Sequence, residues 1–206
     1  MVAVSFRPLT HTHTHNAAWD MVIAFPPCTH LAVSGAMHFE KKYSDGRQLE
    51  GLWFFAQFLK IDCPRVAVEN PVNIISGNYV GEHFRYQALK YGLPIKPTQI
   101  IQPYQFGDPA RKKTCLWLKG LPPLKPTNIV EPEIVEYVNA KGKKTTYSRD
   151  YIFDLGADRG KTRSKTYPGI AKAMAEQWGN FECDPQVIEE PMQSMDGQMT
   201  LEDFLK

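Results

Sequence analysis

The 206-residue sequence lacks any apolar run approaching the roughly 20 residues that a membrane span requires. Its longest candidate, Gly51 to Ile61, is interrupted by Gln57 and Lys60. The opening MVAVSFRPLT is too short and mixed for a secretory signal. Cysteine is sparse: Cys28, Cys63, Cys115 and Cys183 stand far apart with no CxxC pair. That spacing excludes a zinc ribbon and a dense disulfide scaffold, and reduced thiols in a cytoplasmic compartment are expected. Glycine is absent from the first 19 residues, although the chain holds 14. Membrane, secreted and fibrous classes are set aside. Hydrophobic residues at 43% and charged residues at 22% are enough to build a core.

The net charge of +2 conceals an uneven distribution. Met1 to Phe106 carries 9 basic and 7 acidic residues, Gly107 to Lys165 carries 13 and 7, and Thr166 to Lys206 carries 2 and 8. A basic middle attracts a phosphate backbone through counterion release, and it also serves as an ordinary solvated surface. Asn180 to Lys206 reads as an acidic, weakly packed tail in which Leu201, Phe204 and Leu205 could dock as one helical turn. The alternation of His11, His13 and His15 has the period of a strand face. No carboxylate or cysteine follows at ligand spacing, so a low-complexity segment is expected there and no metal.

Short buried strands are expected at Asp20–Phe25, stopped by Pro26-Pro27, and at Arg65–Glu69, closed by Asn70-Pro71. Between them Leu49 to Ile61 sets Leu52, Phe55, Ala56 and Leu59 on one helical face. His83 to Tyr91 reads as a helix and Cys115 to Leu118 as a strand, whereas Gln99 to Gln102 is too short to assign. Gly120 to Pro132, with four prolines, is an extended connection, and Tyr167 to Trp178 is a helix opened by Pro168 and ended by Gly179. Strands alternating with helices predict an α/β domain with a mainly parallel sheet and flanking helices. The expected domain covers 20–179, with an atypical segment 1–19 before it, a small DNA-facing insertion at 120–163 and the tail 180–206.

In such sheets chemistry gathers beyond the carboxyl ends of the strands, where Cys28 and Glu69-Asn70 both fall. Two prolines stiffen the loop that carries Cys28, which suits either an accessible nucleophile or a plain loop cysteine after a proline turn. A carboxyl group closing an apolar strand tends to keep its proton and serve as an acid, or is satisfied by backbone donors.

These residues resemble the DNA cytosine-5 methyltransferases, in particular the compact phage and prophage type. Pro26-Pro27-Cys28 is similar to the proline-cysteine nucleophile motif, and Glu69-Asn70-Pro71 to the ENV-type motif. Phe106-Gly-Asp-Pro-Ala-Arg-Lys-Lys-Thr114 followed by a strand resembles the YGVPQRRER block, and Lys165 to Trp178 resembles the family's closing helix. The resemblance spans Asp20 to Gly179. It implies a Rossmann-like, S-adenosylmethionine-dependent fold and methyl transfer to C5 of cytosine through a cysteine adduct at C6, with the target base flipped from double-stranded DNA. It implies Cys28 as nucleophile, Glu69 at N3 and Asn70 as the residue that positions the loop. Pro26, Pro27, Ser164 and Thr166 would lie near the cofactor, and Arg111, Lys112, Lys113, Lys143 and Lys144 at DNA phosphates.

The sequence departs from the family in two places. The last arginine of the third block falls on Thr114, which lacks the guanidinium fork. The family's opening strand and glycine-rich turn have no counterpart in the 19 residues before Asp20, so the fold is expected to be N-terminally incomplete. A catalytically inactive DNA-binding remnant, or half of a split enzyme completed by a second chain or by self-association, is the alternative. An amino-group methyltransferase would need Asp or Asn where Phe25 stands. Thymidylate synthase resembles only the local Pro-Cys-Thr-His run.

Overall fold

The computed structural model describes residues 19–76, 96–138, 142–148 and 166–179. These fall into two compact units. Of the described residues, one contains 19–76, 96–100 and 114–123, and the other 101–113 and those from 124 onward.

The first unit is mixed α/β. Strand β1 (Val22–Ala24) is followed by a 3-10 segment (Val33–His38), helix α1 (Phe39–Ser44), helix α2 (Arg47–Leu59) and strand β2 (Val66–Pro71). β3 (Gln99–Ile101) and β4 (Thr114–Lys119) complete a four-stranded sheet of order β1-β2-β4-β3. β1 and β2 run parallel, with Val22, Ile23 and Ala24 opposite Val66, Ala67 and Val68. A parallel pair needs a crossover, which the helical stretch from Val33 to Leu59 supplies.

α2 forms where the spacing predicts it. Gln48, Leu52, Phe55 and Ala56 are its buried residues, three to four apart. Its start is set by Gly46 in the left-handed region (φ 82°) and by Asp45, whose carboxylate accepts from the Arg47 backbone N–H. Phe55 meets Trp117 of β4 edge to face, ring centroids 5.0 Å apart, within a core that also includes Leu31, Leu52, Val66, Val68 and Cys115.

The expectation of a mainly parallel sheet needs correcting, because β4 runs antiparallel to β2, from Val66 opposite Lys119 to Pro71 opposite Thr114. The sequence could not show this. Thr114 to Trp117 are buried at every position, and a strand covered on both faces reads as a continuous apolar run in either direction. Two boundaries also move: β2 continues through Asn70 and Pro71, and Gln99–Ile101 is a strand. The expected helix at His83–Tyr91, the histidines 11, 13 and 15, Ser164 and the tail 180–206 lie outside the described residues.

The second unit carries a two-stranded antiparallel hairpin, β5 (Ile134–Val138) with β6 (Lys144–Ser148), and helix α3 (Pro168–Gly179). β-Branched and aromatic residues favour both strands, and Gly142, at φ 74°, lies in their connection. On α3 the residues Ile170, Ala173, Met174 and Trp178 are buried, as the i, i+4, i+8 spacing predicts. Its first turn lies against the Phe106–Asp108 segment, where Gly169 N–H donates to Asp108 Oδ2 at 2.9 Å. A Cβ at Gly169 would fall 1.9 Å from the Phe106 carbonyl oxygen, so only glycine fits. Gln177 bonds both the N–H and the C=O of Lys125 at 2.8 Å, fixing the proline-rich connection to the same helix.

Candidate functional site

At the carboxyl ends of the parallel pair, β1 runs into Phe25-Pro26-Pro27-Cys28 and β2 ends with Glu69-Asn70-Pro71. Pro26 is buried, Pro27 is exposed and Cys28 is half-buried. Proline at position 71 holds Asn70 in the extended region, which keeps it within the strand. Alternation then sets Val66, Val68 and Asn70 on one face and Ala67 and Glu69 on the other. Glu69 is half-buried, opposite Leu116 of β4.

Asn70 is only 1% exposed and donates its amide to the Pro26 carbonyl oxygen at 2.9 Å. Its Oδ1 accepts from Asn73 Nδ2 at 3.0 Å. Asn73, fully buried, accepts on its own Oδ1 from the backbone N–H groups of Ile75 and Ser76. Those two backbone donors fix which end of the Asn73 amide faces Asn70, and Asn73 in turn fixes Asn70 so that its NH2 group meets Pro26. The Asn73–Ser76 turn therefore determines the orientation of the amide that holds the cysteine loop.

The loop is also closed on itself and on the chain after β2. Cys28 C=O accepts from Leu31 and Ala32 N–H, forming a tight turn that begins at the cysteine. Ile74 N–H donates to Leu31 C=O and Val33 N–H to Val72 C=O, pairing Ala32 with Asn73. Lys42 of α1 reaches the Thr29 carbonyl oxygen at 2.6 Å, which places an ammonium one residue from the thiol's own position in the chain. His30 Nδ1 is buried with no hydrogen-bond partner among the described residues.

Of the residues singled out in the sequence, Asn70 and Pro26 are hydrogen-bonded, Cys28 lies two residues on from Pro26 in the same loop, and Glu69 precedes Asn70 on β2 with its side chain on the other face. Pro26 carries no N–H, and its carbonyl oxygen accepts from the Asn70 amide. Pro27 lies exposed beside it, and Thr166 belongs to the other unit. Arg111, Lys112, Lys113, Lys143 and Lys144 all fall in that second unit. Arg111 backbone N–H donates to Ser148 Oγ at 3.0 Å, which ties Arg111 to the end of β6, the strand that Lys143 and Lys144 precede and open. Lys112 Nζ stands 5.6 Å from the centroid of the Tyr167 ring, whereas Arg111, Lys113, Lys143 and Lys144 are exposed. Thr114 is buried at the start of β4.

Sequence reasoning missed Asn73 and Lys42. The Asn73-Ile-Ile-Ser76 run carries the signal of a side chain that bonds the backbone two and three residues on, and only its position after Asn70-Pro71 gives that turn a role. Lys42 carries no local signal, because its bond to Thr29 is a tertiary contact. Among the described residues no group of three metal-ligating side chains gathers, and no helix is long and apolar enough to cross a membrane.

No protein-family model, no curated protein and no solved structure matches this chain.

Proposed function

We propose that this chain is a DNA (cytosine-5)-methyltransferase-like protein built on a Rossmann-like fold, with Cys28 as its nucleophile. The observation that carries this reading is the Asn70–Pro26 hydrogen bond. It joins two short blocks, 44 positions apart in the chain, that the reaction needs side by side.

C5 of cytosine is a poor nucleophile. Addition of the Cys28 thiolate to C6 forms a C–S bond and moves the ring's electron pair to C5. Glu69 meets the negative charge accumulating on the ring by sharing a proton with N3. S-adenosylmethionine is the methyl donor this chemistry calls for. After transfer, loss of the C5 proton to a base and breakage of the C–S bond restore the ring and free the thiolate. Asn70 acts through the loop: its amide holds the Pro26 carbonyl, so that Cys28 is presented at a fixed place.

The basic residues of the second unit suit phosphate contacts with double-stranded DNA, Arg111 and Lys113 beside the hairpin foot and Lys143 and Lys144 at the start of β6. A second reading, DNA binding without methyl transfer, is favoured by one observation: the position at which the family carries its last arginine is the buried Thr114, which brings no guanidinium to a base.

Incubation with cytosine-containing duplex DNA and S-adenosylmethionine, followed by nucleoside mass spectrometry, separates the two. The first reading expects 5-methyldeoxycytidine from the parent chain and none from Cys28→Ser. DNA binding with no methylated nucleoside from either protein supports the second reading and overturns the first.

A further inference from the structure

Three side chains from three elements hold backbone carbonyls of the loop around Cys28. Asn70 of β2 holds that of Pro26 at 2.9 Å, Gln48 of α2 reaches that of His30 at 3.4 Å, and Lys42 of α1 bonds that of Thr29 at 2.6 Å. Cys28 C=O is closed within the turn by Leu31 and Ala32 N–H. Asn70 and Gln48 are buried neutral amides, so holding a carbonyl in this loop does not require a charge. The third clamp is an ammonium, and ordering a lysine for one such bond costs as much side-chain entropy as any residue does. Its charge therefore needs an explanation that carbonyl binding does not supply.

Lys42 is half-buried and its head packs over the 3-10 segment, where a Cβ on Gly35 would stand 3.2 Å from Nζ. The carbonyl it binds belongs to the residue after Cys28, which puts Nζ within about 9 Å of the Cys28 Cα. That lies inside the roughly 10 Å over which charges act at 0.1 M salt. A cation at this range favours the thiolate over the thiol. The other ionisable groups on the elements around the loop are His30 of the loop itself, His38, Glu40 and Lys41 before Lys42, Glu50 of α2 and Glu69 of β2. Arg47 of α2 is engaged by Asp45. Carboxylates oppose ionisation of a thiol, and Lys42 is the cation among these groups that hydrogen-bonds the loop backbone. We infer that Lys42 is a positioning residue for Cys28, its ammonium fixing the Thr29 carbonyl and easing ionisation of the neighbouring thiol. The role of Cys28 as nucleophile rests on the proposed function, whereas the clamp stands on the loop geometry alone.

The test is the pH profile of Cys28 alkylation by iodoacetamide in the full chain, read by peptide mass spectrometry at low salt, with buried Cys63 and Cys115 as internal references. Lys42→Gln keeps a donor for the Thr29 carbonyl without the charge, and Lys42→Arg keeps both. The pH of half-maximal reaction is expected to rise by about half a pH unit in Lys42→Gln, with an about threefold slower reaction near neutral pH, and to stay with the parent in Lys42→Arg. Salt at about 1 M should bring the parent and Lys42→Gln together, because screening removes the effect of the charge. Lys41→Gln removes the same charge from the adjacent exposed position and should move the profile less. An unchanged profile in Lys42→Gln, or an equal change in Lys41→Gln, overturns the proposal. A change shared by Lys42→Arg and insensitive to salt marks a purely structural clamp and overturns it too. Alkylation needs neither DNA nor S-adenosylmethionine, so failure of this proposal and failure of methyl transfer are read separately.

Discussion

Asn70 donates its side-chain amide to the carbonyl oxygen of Pro26 at 2.9 Å, joining the end of β2 to the loop that presents Cys28. The bond is buried, so both partners depend on it: a carbonyl and an amide withdrawn from water must find each other or remain unpaired. Asn70→Ala leaves Pro26 C=O and Asn73 Nδ2 without this partner. At about 1–3 kcal/mol for each unsatisfied group, a loss of about 2–6 kcal/mol in urea unfolding is expected. Asn73→Asp is the finer probe. It keeps an acceptor for Ile75 and Ser76 but turns an oxygen toward Asn70 Oδ1, so it should also be destabilising despite its near-identical shape. Stability equal to the parent's in both variants would show that the relay does not hold the loop.

The thiols should differ in reactivity. Cys28 is half-buried, whereas Cys63 and Cys115 are 2% and 0% exposed. Under native conditions iodoacetamide should modify Cys28 well before Cys63 and Cys115, as read by peptide mass spectrometry, and denaturation should level the three rates. Equal native rates would contradict the placement of Cys28 on an accessible loop.

Two glycines hold close approaches that no other residue permits. At Gly120, φ is 60° and a Cβ would lie 2.1 Å from the Pro64 carbonyl oxygen; at Gly169 a Cβ would lie 1.9 Å from that of Phe106. Both obstacles are backbone, which cannot swing aside. Alanine at either position should cost about 1–3 kcal/mol through overpacking, with Gly120→Ala carrying left-handed strain as well. Gly46 is also left-handed, but open space surrounds it, so Gly46→Ala should cost less than Gly120→Ala. The order of the three midpoints in a denaturant series checks this.

Much of this architecture was legible in the sequence for a physical reason. Proline pairs stop strands, and helix-spaced apolar residues bury themselves, so Pro26-Pro27, the Leu52–Phe55–Ala56 face and the Ile170–Met174–Trp178 stripe announced β1, α2 and α3. Strand direction was not legible, because Thr114 to Trp117 are buried on both faces and carry no alternation. The hairpin escaped notice because its exposed Ile134, Tyr137 and Val138 give neither a clean period nor a tight two-residue turn. At the site, Cys28, Glu69 and Asn70 could be singled out one by one from their places at strand ends. Their orientation could not, because it depends on Asn73, whose role exists only once the turn after β2 lies beside the cysteine loop.

A pH effect follows from the start of α2. The Arg47 side chain, hydrogen-bonded to Asp45, holds that carboxyl below its ordinary range. A depressed carboxyl contributes stability that is present above its unfolded pKa and lost as pH falls through the folded one. Asp45→Asn should therefore flatten the acid limb of a melting-temperature profile below about pH 4 by lowering the neutral plateau toward the acid value, the two proteins converging in acid. The same acid slope in parent and variant would remove Asp45 from the account.

The central claim is that Cys28 adds to C6 of a cytosine. DNA carrying 5-fluorodeoxycytidine tests it most directly, because fluorine at C5 cannot leave as a proton does, and the adduct persists after methyl transfer. The chain is incubated with this DNA, with and without S-adenosylmethionine, and resolved on a denaturing gel, with peptide mass spectrometry of any shifted band. The account predicts a cofactor-dependent shifted band whose modified peptide contains Cys28, present in Cys63→Ser and absent in Cys28→Ser. A band that survives Cys28→Ser, or no band from a folded chain that binds the same DNA, would contradict it.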